Sequence, residues 1–597
     1  LKDKAKLKSQ VILQKLLPLV FRDPSNKTSL IILSIIIGVI CGLMAVLLKI
    51  SVDKMHELSV ELTQKYSTSL ILFFPMIGII LTLLFVKYPL KGKHTKGLGD
   101  IIHSISRGKI DIPFQRTYSH IVASALTVGL GGSVGLEAPI AATGAAIGSN
   151  IAQSLKLDHK LKTLLLACGS AAGISAIFNS PIAGVIFSIE VLVAEVSVPF
   201  MIPIIISSAS AAVVSKMLYG GQLFILVTQG WVFEAIPYYI VLGVLCGLIS
   251  AYTITVTFNI EKYFHRKLDG FKKVLIGGLC LSILVLLFLP LYGEGYSTIE
   301  QILNQKAALI YNNSLFSFNI LPQNSFLLLF VFLLIMFKPV AAAFTIGAGG
   351  DGGIIAPSLF IGALTGFFLA QLCKVLGIAD LNTVNFIAVG MAGVISGVIR
   401  APLTGIFLIA EITGGYLLIV PLMIVASFSY FISKYFEPDS IYTKAINENA
   451  GTDVLNHDKN LLSQISIREL IETDFISVAP NYTLSQLLDI ITHSKRNIFP
   501  VVDDKDAFLG VVYLDDIREV ILEKDLYEVL LVYEFMHKGD ISVAIDENMY
   551  NVMEKFEKFR LWNLPVIDNG KYVGFVSKSS ALSLYREQLV EQSKAVI

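Results

Sequence analysis

Charge is what this chain has least of. Of its 597 residues, 16% are Asp, Glu, Lys or Arg against 54% hydrophobic, and the mean hydropathy is +0.70. A soluble protein of this length needs a charged exterior, so that class is excluded. A dominant sign of charge is missing too. The net charge of +1 offers nucleic acid no electrostatic footing, and no such partner is expected. Cysteine is scarce: Cys41, Cys168, Cys246, Cys280 and Cys373 lie in apolar segments at no metal-ligand spacing, so they read as packing residues. No His/Asp/Glu constellation has metal spacing, and no glycine-rich stretch is followed by Lys-Ser/Thr. An enzyme, a bound metal and a resident cofactor are therefore not expected. The opening LKDKAKLKSQ has no Met, and the native chain is expected to begin upstream.

Long apolar runs are what the chain does have. They recur from residues 29–50 to residues 417–435, but several are too short, or too broken by Gly and Pro, to cross about 30 Å of hydrocarbon alone. Irregular backbone at membrane depth is tolerated only where protein buries it or water reaches it. The pattern implies an α-helical polytopic membrane protein with broken helices. Lys2, Lys4, Lys6, Lys8, Lys15, Arg22 and Lys27 place the N-terminus in the cytoplasm by the positive-inside rule. After about Ala445 the composition becomes that of a soluble domain. The expected organisation is a cytoplasmic segment 1–28, a membrane domain 29–445 with halves 29–225 and 226–445, a linker 446–464, and two α/β modules, 465–525 and 526–597. If both termini are cytoplasmic, the crossings are even in number. Homologous halves with an odd number each would then have inverted topology.

The halves announce themselves by a repeat. GGSVGLEAPIAATGAAIGSNIA, residues 131–152, returns 218 residues later as GGDGGIIAPSLFIGALTGFFLA, residues 349–370. Glycines followed by Pro at a first helical turn describe a loop feeding a helix N-terminus, and the later Gly-x-x-x-Gly spacings suit close packing in lipid. Two interrupted helices at matching places in two halves point to a transport site. Helix N-termini present unpaired N–H groups and a positive dipole end, so ends that converge make an anion site without a lysine. No Lys or Arg is expected near it. Where the second copy has Ile355, the first has Glu137, a carboxylate that competes for the same pocket. Two unit charges about 4 Å apart at an effective dielectric near 20 repel by about 4 kcal/mol, against about 2 kcal/mol at best from helix dipoles. An arriving anion thus favours a protonated or swung-out Glu137. Further on, PIAGVIFSIE ending at Glu190 matches PLTGIFLIAE ending at Glu411, and both read as boundary carboxylates or interhelical hydrogen-bond partners.

GSVGLEAP resembles the G-[KR]-E-G-P signature of the CLC chloride channel and transporter family, with Glu137 as its gating glutamate. GGIIAP resembles the family's G-x-F-x-P signature, FNSPIAGVIFSIEV and RAPLTGIFLIAEIT the helices that follow, and Pro438-Asp-Ser-Ile-Tyr442 the last membrane helix. The resemblance implies a chloride pathway in each subunit of a homodimer in the cell membrane. Anion contacts would fall on Gly135, Leu136 and Ala138, on the amides of Ile354 and Ile355, and on the hydroxyl of Tyr442. Departures matter. Leu136 replaces the signature's cation, Ala138 its glycine and Ile355 its aromatic. Leu98, in Gly97-Leu98-Gly99-Asp100-Ile101, replaces a serine that meets the central anion. The internal proton-carrying glutamate of coupled members would fall at Val191, one place after Glu190, and valine carries no proton. A passive channel is therefore expected, with proton-coupled antiport as the alternative. A divalent-cation transporter is a third reading, and it would need intramembrane carboxylates that these loops lack.

The tail holds its own repeat. NIFPVVD then GVVY, residues 497–513, parallels NLPVID then GFVS, residues 563–577, each preceded by an amphipathic helix. This resembles a tandem CBS module over residues 465–588. Adenine nucleotide is the cofactor that resemblance allows, at Asp516 and Ser577, although each copy has half of the usual pair.

Overall fold

The computed structural model describes residues 26–594 apart from 93–96, 107–109, 193–197, 221–227, 229, 305, 308, 313–322, 451–461, 463–464 and 540. Most of the basic N-terminal segment and of the expected linker therefore lies outside the described residues. The chain divides into two compact units, Leu1–Ala450 and Gly451–Ile597.

The first half of the larger unit runs α1 Lys27–Lys65, α2 Phe74–Lys87, α3 Gly97–Ser106, α4 Arg116–Gly129, α5 Glu137–Ser154, α6 His159–Phe178, α7 Pro181–Phe187 and α8 Val198–Leu218. The second half repeats that order: α9 Ile236–Lys267, α10 Gly270–Leu287, α11 Tyr296–Leu303, α12 Gln323–Gly347, α13 Ile355–Val375, α14 Thr383–Ile399, α15 Pro402–Ile412 and α16 Ile419–Phe436. A single turn, Leu309–Asn312, lies between α11 and α12, and α17 Lys444–Ala450 closes the unit. Among the described residues nine helices are long and apolar enough to cross a membrane.

Local chemistry repeats along with the order. Asp158 caps α6 by accepting from Leu161 N at 3.0 Å, and Asn382 caps α14 by accepting from Asn385 N at 3.1 Å. Each helix ends on a left-handed residue, Asn179 (φ 55°) and Arg400 (φ 67°), and Pro181 and Pro402 then start the next helix. Packing repeats too. Helix α5 lies on α6 as α13 lies on α14, and α1 on α8 as α9 on α16. The glycine spacings serve the first of these contacts: a Cβ on Gly144 would sit 2.0 Å from Gly169 O, and one on Gly362 2.4 Å from Gly390 O. Between halves, equivalent helices meet: α2 on α10, α7 on α15, α5 on α13. Elements that pair with their own counterparts lie about a local twofold, which is the geometry of inverted repeats.

The smaller unit builds two three-stranded sheets. One joins β1 Ile498–Val502, β2 Phe508–Tyr513 and β3 His537–Lys538; the other joins β4 Val543–Ala544, β5 Asn563–Asp568 and β6 Lys571–Ser577. The β1/β2 and β5/β6 hairpins are antiparallel, and β4 runs parallel to β5. Helix α18 Leu484–His493 precedes β1 and α19 Met549–Phe559 precedes β5. Each covers its own buried core, around Leu487, Phe499 and Val512 and around Val552, Phe556 and Val576. Helix α20 Lys578–Lys594 follows β6.

Candidate functional site

The two glycine loops cross at one point. Gly135 N donates to Gly353 O and Gly353 N to Gly135 O, both at 2.8 Å. A Cβ on Gly135 would lie 2.6 Å from the Ala356 methyl, and one on Gly353 2.6 Å from the Ala138 methyl. Only glycine allows this approach. The crossing brings together the first turns of α5 and α13. Neither N-cap residue, Leu136 or Ile354, caps its helix with a side chain, so amide N–H groups of both halves face a shared point. Leu136, Ala138, Ile354 and Ile355 are all buried.

Glu137 opens α5 and is 1% exposed. Its Oε1 accepts from the Tyr296 hydroxyl at 2.6 Å. Its Oε2 is buried without a hydrogen-bond partner, close to the amides of Glu137 itself and Ala356. The Tyr442 hydroxyl is likewise buried and unpartnered, and near enough to Glu137 for their charges to interact. Its turn is fixed by Ile441 N to Val398 O at 3.2 Å and by the Ser440–Thr443 hydrogen bonds. Leu98 is buried beside it: a Cβ on the adjacent Gly99 would be 3.5 Å from Tyr442 O. The anion-contact residues expected from sequence thus gather around two buried oxygens with no partner.

Several polar residues here were not anticipated. Glu294, partly exposed, accepts from Leu136 N at 3.3 Å through Oε1, and its charge interacts with that of Glu137. Lys338 is fully buried; its Nζ donates to Gly293 O at 2.8 Å, lies 4.9 Å from the centre of the Phe360 ring, and faces the Glu294 charge. Lys49 donates to Ala176 O at 3.0 Å and also feels Glu294 and Asp53. The expectation that no lysine lies near the glycine loops is corrected. Lys338 sits inside an apolar run and reaches the site from the side, through the backbone of residue 293. A buried His120–Asp351 pair, 2.9 Å apart, ties α4 to the second loop, and Asp351 N donates to Thr127 Oγ1 at 3.1 Å.

Glu190 stands elsewhere, in a short π-helical stretch Ser188–Leu192 that continues α7 and also contains Val191. Its carboxylate accepts from Leu403 N at 3.1 Å and from Thr404 N and Oγ1, each at 2.8 Å. Glu411 does the converse, accepting from Ile182 N at 3.0 Å and Ala183 N at 2.8 Å. Both are interhelical hydrogen-bond partners, each capping a helix of the other half.

In the tail, Asp516 accepts from Tyr513 N at 2.9 Å and lies 3.0 Å from His537 Nε2. The Ser577 hydroxyl donates to Glu472 Oε1 at 2.8 Å and accepts from Ser580 N at 3.1 Å. Both expected nucleotide contacts are engaged within the protein.

Residues 77–434 match the family model described as voltage gated chloride channel, and residues 467–523 and 532–587 each match a CBS domain. The H(+)/Cl(-) exchange transporter ClcA of Vibrio vulnificus is 27% identical over 474 residues, 75% of this chain and 97% of that protein. The voltage-gated ClC-type chloride channel ClcB of Escherichia coli is 29% identical over 327 residues, 54% of this chain and 73% of that protein. Among solved structures, a slow cyanobacterial Cl-/H+ antiporter superposes with a TM-score of 0.60 at 22% identity, covering 71% of this chain and 98% of its own.

Proposed function

Because the chain belongs to the voltage-gated chloride channel family, we propose that it moves chloride-sized anions passively across the cell membrane, along a path gated by Glu137. The observation that carries this reading is the Glu137 carboxylate, buried at the crossing of two helix N-termini and close to the amides of Glu137 itself and Ala356. A carboxylate there occupies amides that would otherwise serve a small anion. Once it swings out, or gains a proton, the amides of the α5 and α13 starts and the Tyr442 hydroxyl are left to the anion. These are partial charges and dipoles, so they attract an anion without trapping it. Leu98 and Ile355 contribute only backbone and apolar surface. The protein works as a homodimer with one path per subunit and with both termini in the cytoplasm, and its CBS tail is a cytoplasmic regulatory domain.

Passive movement is supported at the other end of the expected proton route. Val191 has no proton to carry, and Glu190 is spent on two amides and a hydroxyl of α15. An apolar stretch resists a bare proton strongly. A second reading, proton-coupled exchange, is favoured by the likeness to the Vibrio exchange transporter over 97% of that protein's length. The test is a reversal-potential measurement in liposomes under crossed chloride and pH gradients. The potential is expected to follow the chloride gradient alone; a shift with a two-unit pH step, or uphill proton pumping driven by chloride, would establish exchange.

A further inference from the structure

Helix α3 begins at Gly97-Leu98-Gly99, and its counterpart α11 directly follows Gly293-Glu294-Gly295. The twofold therefore places Glu294 in the second half where Leu98 stands in the first. Because the halves are inverted, the two residues belong to opposite mouths of the pathway. Leu98 lies with Tyr442 on one side of the crossing. Glu294 lies on the other, against the start of α5.

We propose that Glu294 is a second tethered carboxylate, which closes the mouth opposite Tyr442 by occupying the Leu136 amide and must leave it before an anion can enter there. This rests on the reading of Glu137 as a gate and extends it. Four observations carry it. The contact itself, Leu136 N to Glu294 Oε1 at 3.3 Å, takes the backbone amide of the N-cap residue at the start of α5. Glu294 is half-buried whereas Glu137 is 1% exposed, which puts Glu294 nearer the protein surface than Glu137. Gly293 and Gly295 flank it with positive φ, 64° and 96°, which holds the carboxylate out on a tight loop. Lys338, bound to the neighbouring Gly293 O, and Lys49 both face its charge. When Glu294 withdraws, those two buried ammonium groups are left facing whatever anion replaces it.

The groups facing Glu294 are Glu137, Lys338, Lys49, Asp53, Tyr219 and Tyr296. Only the two glutamates lie on helix-start amides in the path, so anion entry depends on both. Flux therefore rises with acidity more steeply than one carboxylate allows.

The test is chloride efflux from proteoliposomes holding the full-length wild type, Glu294→Gln, Glu137→Gln and the double variant, across pH 4.5 to 8. Glu294→Gln is expected to raise flux at neutral pH by about tenfold, the scale of one charge-assisted hydrogen bond, and to make the pH profile shallower. Glu137→Gln should keep a residual pH dependence that the double variant lacks. A Glu294→Gln profile that superimposes on wild type overturns the proposal. A Glu137→Gln profile identical to wild type, with Glu294→Gln altered, instead overturns the Glu137 gate and leaves Glu294 standing as the gate. Should the amide variant not fold, Glu294→Asp, one methylene shorter, is expected to raise flux while remaining pH-dependent; unchanged flux there overturns the proposal equally.

Discussion

Tyr296 is the residue that holds Glu137 in place, through one short hydrogen bond between side chains. An amide at position 137 keeps that contact and loses the charge. Glu137→Gln is therefore expected to raise chloride flux in liposomes by about tenfold or more, because charge repulsion of up to about 4 kcal/mol no longer opposes anion entry. Its dependence on pH should flatten to what Glu294 leaves. Flux and pH profile both equal to wild type would remove Glu137 from the gate. Tyr296→Phe frees the carboxylate without discharging it, and a smaller rise is expected in the same assay. Much of this site was legible in the sequence. Gly135, Glu137 and Gly353 stood out because the repeat keeps the loop glycines and sets a carboxylate in one copy against an apolar residue in the other. Glu294 did not, since Gly-Leu-Gly-Asp and Gly-Glu-Gly-Tyr share two glycines and nothing else. Their equivalence becomes visible only when α3 and α11 are seen in matching places.

At the scale of elements, Glu190 and Glu411 were readable as a matched pair but not as caps. Periodicity says which residues share a helix face; it does not say which N-terminus, 213 positions away, a carboxylate will meet. Since each satisfies amides of a short helix that lacks its own side-chain cap, Glu411→Ala and Glu190→Ala are each expected to cost about 1–2 kcal/mol. Thermal unfolding in detergent should show a lowered midpoint for each, and unchanged midpoints would mean that lipid or water replaces the cap. Lys338 escaped notice for another reason: one lysine within an apolar run looks like a span interior, and its partner is a backbone carbonyl. In the tail, Asp503 accepts from Ala507 N at 2.7 Å and Lys505 N at 2.9 Å, which holds its carboxyl below the usual range. A depressed carboxyl contributes stability that is present above its unfolded pKa, about 3.9, and is lost as pH falls through the folded value. Asp503→Asn should thus blunt the loss of tail stability below about pH 4, followed by Trp562 fluorescence in a Trp231→Phe background. An acid limb as steep as before would show that other carboxylates dominate it.

For the whole molecule, the packed series α8–α7–α15–α16 exposes Ile202, Ile205, Ile182, Leu403, Leu417 and Met423 on its helices and the turn before α16. Residues 200–206 and 417–428, with α7 and α15 between them, make the face proposed for the subunit contact. Cysteine pairs placed on Ile202 and Met423 are expected to crosslink two copies in bilayers; recovery of monomers alone at every pair would contradict the homodimer. The two-half architecture was legible because the loops that cross tolerate so few residue types. The pairing of α1 with α8, or of α2 with α10, was not, because lipid-facing apolar residues carry no address.

The exchanged carboxylates make the two halves mutually dependent. Glu190 serves α15, Glu411 serves α7, and Gly135 bonds Gly353, so neither half satisfies the start of its own short helix, α7 or α15. A polypeptide with the length of one half could have met these needs only by embracing another copy of itself. The interior of this one chain thus has the form of an interface between two like copies. The two halves, produced as separate polypeptides cut between α8 and α9, should therefore find each other.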